Sequence, residues 1–81
     1  MNLQQLRYVH EVASRGLNVS DAAEALFTSQ PGVSKQIRLL ETELGIEIFT
    51  RHGKRLVAVT EPGQAVLAIA ERVLRDLDNL Q

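Results

Sequence analysis

The sequence predicts a mainly α domain interrupted by a single β-hairpin. Three observations carry that expectation. Apolar residues recur at helical spacing in four segments, the helical period disappears between Ile46 and Thr60, and polar helix-start residues stand directly before the later helical segments. At 81 residues the chain can form one small domain around a single core. It contains no cysteine, so no disulfide supports that core, which fits a reducing compartment. No apolar run approaches the roughly 18 to 20 residues of a membrane span, and "MNLQQLRYVHEV" lacks the basic start and continuous apolar centre of a secretory signal. A soluble cytoplasmic domain, not inserted in a membrane, is expected.

Leu3, Leu6, Val9, His10 and Ala13 predict a first helix over residues 3–15, with Gly16 as its stop. Tyr8 and Val12 add an apolar stripe on its other side, so this helix should pack on two neighbours. Asn18 can cap a short second helix, with Asp21 in its first turn, where the positive end of the helix dipole favours an acid. Val19, Ala22, Ala23 and Leu26 fall on one face of it, and the paired alanines allow a neighbouring helix to approach closely. This helix is expected to end near Phe27, with Thr28 and Ser29 forming the turn.

Thr28 or Ser29 can cap the third helix, and Pro31 is tolerated in its first turn because no intrahelical amide bond is lost there. Val33, Ile37, Leu40 and Leu44 form a stripe to be buried, ending at Gly45. At about 100° per residue, Pro31, Ser34, Lys35, Arg38 and Thr42 lie roughly opposite. That outer face has no large hydrophobe and no acid, whereas Glu41 and Glu43 stand at the far end.

The segments "IEIFTR" and "RLVAVT" then read as short strands around the turn "HGK". The tip, His52 to Arg55, is basic and contains a glycine. Thr60 caps a final helix with Pro62 in its first turn. Val66, Leu67, Ile69, Ala70, Val73, Leu74, Leu77 and Leu80 cover an arc of roughly 160° on it, wider than the ~100° that a surface helix buries. About 20 residues give roughly 30 Å of helix, too long for so small a body to cover. The remainder calls for a second chain or a further part of the protein. The ending "LDNLQ" has no stop signal, and Asp76 and Asp78 would oppose the dipole at a true C-terminus, so a segment of a longer protein is expected.

The net charge of −1 conceals an uneven distribution. Residues 30–60 hold five basic and three acidic groups, and their cations lie in two acid-free stretches, Lys35 and Arg38 in one and Arg51, Lys54 and Arg55 in the other. Three helices, a hairpin and a long helix compose a winged helix-turn-helix, in which the second helix of the pair enters the DNA major groove and the wing reaches the backbone or minor groove. Gln30 then suits paired hydrogen bonds to adenine, Pro31 a thymine methyl, Ser34 a base or phosphate, Lys35 guanine or phosphate, and Arg38 a phosphate. Each has a simpler reading: Pro31 and Ser29 are common helix starters, and Lys35 and Arg38 could be a solvated face. Their combination with a basic hairpin favours DNA. His10 and His52 lack a second ligand at helical spacing, the serines lack a nucleophile elbow or acid–base partner, and the glycines form no phosphate-binding loop, so an enzyme is not expected.

The stretches "DAAEALFTSQPGVSKQIRLLETELGIEIFTR" and "LVAVTEPGQAVL" resemble the DNA-binding domain of the LysR-type transcriptional regulators, and the likeness covers essentially the whole chain. "LNVS", "FTSQPGVSKQI" and "IFTRHGKRL" are most similar to the CysB-like branch, whose members control cysteine and sulfur metabolism. The resemblance implies that Gln30, Pro31, Ser34 and Lys35 face the major groove with Arg38 nearby, and that Arg51, Lys54 and Arg55 serve the wing. It implies a winged helix-turn-helix over 1–60, with the helix pair at about 19–43 and the wing at about 46–60. The helix 61–81 would be the linker through which two copies form a homodimer, using Val66, Ile69, Ala70, Val73, Leu74, Leu77 and Leu80. Double-stranded DNA is the implied partner and the bacterial cytoplasm the implied location. No cofactor is implied in this segment; a small-molecule inducer would bind an effector domain outside it. Lys35 stands where many members carry arginine, replacing a two-pronged donor by a single ammonium. The rival from another class is a protein-interaction or dimerisation module that retains the fold without binding DNA.

Overall fold

The computed structural model describes residues 1–80, which form α1 (Leu3–Ser14), α2 (Val19–Ala25), α3 (Gln30–Leu44), β1 (Phe49–His52), β2 (Arg55–Val59) and α4 (Glu61–Asp78). α1 packs against α2, α3 and α4, and the two strands pair antiparallel beside them, giving a winged helix-turn-helix followed by a long helix. Val9 and Val12 from α1, Ala22 from α2, Val33, Ile37 and Leu40 from α3, and Ile48 and Phe49 beyond it are fully or almost fully buried in one core. Among the described residues no helix is long and apolar enough to cross a membrane.

Every helix begins at a side-chain cap. Asn18, Ser29 and Thr60 accept from the amides of Asp21, Gly32 and Gly63 at 3.0, 3.1 and 2.9 Å, satisfying donors that have no partner inside the helix. α1 starts with a capping box that the sequence reading passed over: Asn2 Oδ1 accepts from the Gln5 amide at 2.8 Å, and Gln5 Oε1 accepts from the Asn2 amide at 3.2 Å. The buried Gln5 then donates through Nε2 to Gln36 Oε1 at 3.2 Å, tying the first turn of α1 to α3.

Two of the boundary shifts from the sequence expectation have a clear local cause. α2 stops at Ala25 because Phe27 adopts φ +56°, a left-handed conformation that ends a helix, with the Phe27 and Thr28 amides donating to the carbonyls of Glu24 and Ala23. The Phe27 ring is 96% exposed. β1 begins at Phe49, not Ile46, because the Ile46 amide donates to the Glu41 carbonyl and the Ile48 amide to the Glu41 carboxylate, which leaves neither for a ladder. The hairpin also carries a bulge: Thr50 pairs with Ala58 but Arg51 with Leu56, which leaves Val57 unopposed. Val57 is accordingly exposed while Leu56 turns into the core.

The first turn of α4 is held against the residue that leads into β1 at Gly63, where any Cβ would collide with the carbonyl oxygen of Ile48. Gly45 ends α3 at φ +68° with open space around it, so its requirement is conformational rather than steric. Gly63→Ala should therefore cost on the order of 3 kcal/mol through overpacking, and Gly45→Ala about 1 kcal/mol through the left-handed backbone alone. Urea midpoints of the two variants measure this, and the reverse ranking would show that the Gly63 contact yields easily.

Candidate nucleic-acid interface

α3 has two chemically distinct sides. Val33, Ile37 and Leu40 are buried, whereas Gln30, Pro31, Lys35 and Arg38 are exposed and Ser34 is half-buried. Leu44, the last residue expected in the buried stripe, is instead exposed and takes no part in the core, because it is the last residue of the helix before Gly45. The outward residues of the first turn project from the end of α3 that carries the positive pole of the helix dipole. Ser20, near the start of α2, donates from Oγ to Gln30 Oε1 at 2.9 Å, a contact that links the two helices across the turn.

The hairpin brings further cations to the same side. Lys54 and Arg55 are exposed at its tip, where they line an open cleft of about 440 Å³ together with Asn18, Ser20 and Gln30. A second groove of about 400 Å³ lies between α3 and the hairpin, lined by Gln30, Pro31, Ser34, Arg38, Arg51 and Lys54. Gln30 and Lys54 border both. Among the described residues Lys35, Arg38, Lys54 and Arg55 have no carboxylate partner; Arg38, Lys54 and Arg55 border these grooves, and Lys35 faces solvent from α3 outside them. No cluster of three or more metal-ligating side chains occurs among the described residues.

Arg51 behaves differently from the other wing cations. Its Nη2 donates to Glu41 Oε1 at 2.9 Å and its Nη1 to Glu41 Oε2 at 3.3 Å, with the two side chains 16% and 9% exposed. The same carboxylate accepts the amides of Ile48 at 2.8 Å and Phe49 at 3.3 Å. Counting Arg51 among the free cations of an acid-free stretch is thus corrected: an acid from α3, ten residues earlier in the chain, neutralises it. Burial pushes the Glu41 carboxyl upward, but the hydrogen bonds from Arg51, Ile48 and Phe49 and the guanidinium charge outweigh it, so the group is held below its ordinary value of 4.5.

A family model described as bacterial regulatory helix-turn-helix protein, lysR family, matches residues 3–64. The chain belongs to the LysR family. Over its full 81 residues this LysR-family chain is 56% identical to the HTH-type transcriptional regulator CysB of Burkholderia cenocepacia, and 56% identical to the HTH-type transcriptional regulator cbl of Escherichia coli. It spans about a quarter, 26%, of the length of each. Among solved structures, a BenM DBD in complex with benA site 1 DNA is similar at a TM-score of 0.89 and 32% identity, covering 99% of this chain and 88% of that one.

In this LysR-family chain the apolar positions of α4 fall into two sets. Val66 and Ala70, expected to face a partner, are instead buried in the chain's own core. Leu67 and Val73 are half-buried against the core, Leu74 and Leu77 are half-buried and Ile69 is exposed; the helix ends at Asp78 with Asn79 as its cap, short of the expected 61–81, so Leu80, 82% exposed, lies beyond it. The division follows from geometry: α4 packs on α1 near its start and extends past the body toward its end.

The depressed Glu41 carboxyl has a consequence for folding. The native state binds this proton less readily than the unfolded state, so the contribution of Glu41 to stability is fully present above about pH 4.5 and is lost as pH falls through the lower native value. Glu41→Gln should cost about 3 kcal/mol near neutral pH, since it breaks a buried ion pair, and should make the acid limb of the stability profile shallower. Urea titrations across the acid range check both effects; an unchanged acid limb would contradict this account of Glu41.

Proposed function

We propose that the chain is the sequence-reading segment of a dimeric bacterial transcriptional regulator that binds double-stranded DNA. The observation that carries the proposal is the outward first turn of α3, polar and acid-free, between grooves rimmed by unpaired cations. Gln30, Pro31, Ser34 and Lys35 are assigned to base edges, Arg38, Lys54 and Arg55 to phosphates or the minor groove. Arg51 is assigned chiefly a positioning role, holding the hairpin to α3 through Glu41. The reading is supported by family membership and by the 32%-identical BenM DBD, which was solved with DNA.

The apolar side chains that the body leaves uncovered, Ile69 on α4 and Leu80 just beyond its end, with the half-buried Leu74 and Leu77 beside them, are assigned to a second copy, giving a pair of α3 helices suited to an inverted-repeat site. Cysteine and sulfur metabolism genes are the targets we assign, from the CysB-like motifs and the 56% identity to CysB. The inducer site belongs to a separate effector domain, and the segment itself works by binding rather than catalysis in the bacterial cytoplasm. The rival interaction module would place acids or large apolar side chains across the outer face of α3; Gln30, Lys35 and Arg38 stand there instead, with the half-exposed Leu39 the one large apolar side chain beside them.

Selection of bound sites from random duplex DNA should return an inverted repeat. Gln30→Ala should then reduce discrimination at one base pair per half-site by about 1–3 kcal/mol, while Lys54→Ala should weaken all sequences alike and lower the salt slope by about one. Affinity that is insensitive to salt, or equal loss of specific and non-specific binding on Gln30→Ala, would contradict the assignment.

A further inference from the structure

Ser20 and Gln30 are ten residues apart, on different helices, yet their side chains meet at 2.9 Å, and capping does not explain the contact. The cap of α2 is Asn18, whose Oδ1 takes the Asp21 amide, and the cap of α3 is Ser29, whose Oγ takes the Gly32 amide. Neither the Ser20 hydroxyl nor the Gln30 amide is needed to satisfy its own helix. Both residues are exposed, and both line the cleft that Lys54 and Arg55 also border. The hydrogen bond therefore joins two polar side chains at the surface assigned above to DNA.

We propose that Ser20 is a specificity-determining positioning residue that sets the orientation of Gln30 before DNA arrives. The inference rests on the DNA-reading assignment of α3 and adds a residue that the motif itself does not supply. A glutamine side chain unattached at its end samples many rotamers, and ordering it on binding has an entropic cost. The Ser20 hydroxyl holds Gln30 Oε1, which leaves both Nε2 hydrogens and one Oε1 lone pair for the base. That arrangement retains the donor and acceptor needed to meet adenine N7 and its N6 amino group. A freely rotating amide could also turn end for end and accept other bases. The Ser20 anchor biases Gln30 against that alternative, so its influence lies in discrimination between bases more than in total affinity.

The test is a double-mutant cycle on the selected site and on the same duplex changed at the base pair that Gln30 reads. Ser20→Ala should lower the ratio of the two affinities by about threefold to tenfold, a typical net hydrogen-bond contribution converted to an equilibrium ratio. Binding to random-sequence duplex should change little. Ser20→Thr, which keeps the hydroxyl, should restore the ratio, and Ser20→Ala added to Gln30→Ala should have no further effect on it. An equal loss on every duplex would make Ser20 a phosphate ligand and overturn the proposal. So would an unchanged ratio in Ser20→Ala beside a wild-type chain that does select a site. A wild-type chain that selects no sequence at all would instead overturn the DNA-reading assignment, and this inference with it.

Discussion

α3 can present Gln30, Pro31 and Lys35 outward only because Val33, Ile37 and Leu40 on its other side are locked into the core. The helix cannot rotate about its axis without dragging those three side chains into water, at roughly 1.5–3 kcal/mol each. Ser29 fixes where the helix starts, Gly45 fixes where it ends, and α1 and α2 supply the surface it packs on. The direction in which the first turn points is therefore a property of the core, not of the exposed residues. Substitutions on the outer face accordingly leave the packing of α3 on the core little changed.

A second constraint operates at the far end of the same helix. Glu41 reaches from α3 to two backbone amides and one guanidinium of the segment that becomes the hairpin. One acid thus determines where β1 begins and how the hairpin leaves α3. The bulge opposite Arg51 then bends the strands before the exposed tip. Lys54 and Arg55 are exposed and unpaired, whereas Arg51 is paired internally. The division of labour among three basic residues in one short stretch follows from which of them lies within reach of Glu41.

Much of this was legible in the sequence. The spacing of Val33, Ile37 and Leu40 identified the buried side of α3, although Leu44 in the same stripe proved exposed, and the caps at Asn18, Ser29 and Thr60 marked three helix starts to within a residue. Glu41 was not legible, because helical spacing places it beside the apolar stripe but does not say that two later amides and Arg51 fold back onto it. Once that junction is known, the late start of β1 and the unavailability of Arg51 both follow. Val66 and Ala70 were read correctly as apolar-face residues of α4, but spacing cannot separate the part of that face covered by α1 from the part that continues beyond it. The capping box at Asn2 and Gln5 did have a sequence signal, a polar cap followed three residues later by glutamine. The Ser20–Gln30 contact had none, since it depends on the angle between α2 and α3.

A core that orients one helix turn is joined to a surface that bears unpaired cations, while α4 packs on α1. Backbone amide chemical shifts recorded as a selected duplex is added test that arrangement most directly. The predicted result is that the largest changes fall on Gln30 to Arg38 and on Lys54 and Arg55, with Ser20 following Gln30 and the middle of α4 nearly silent. Changes concentrated on α4 and the back of α1, with the first turn of α3 unmoved, would contradict it.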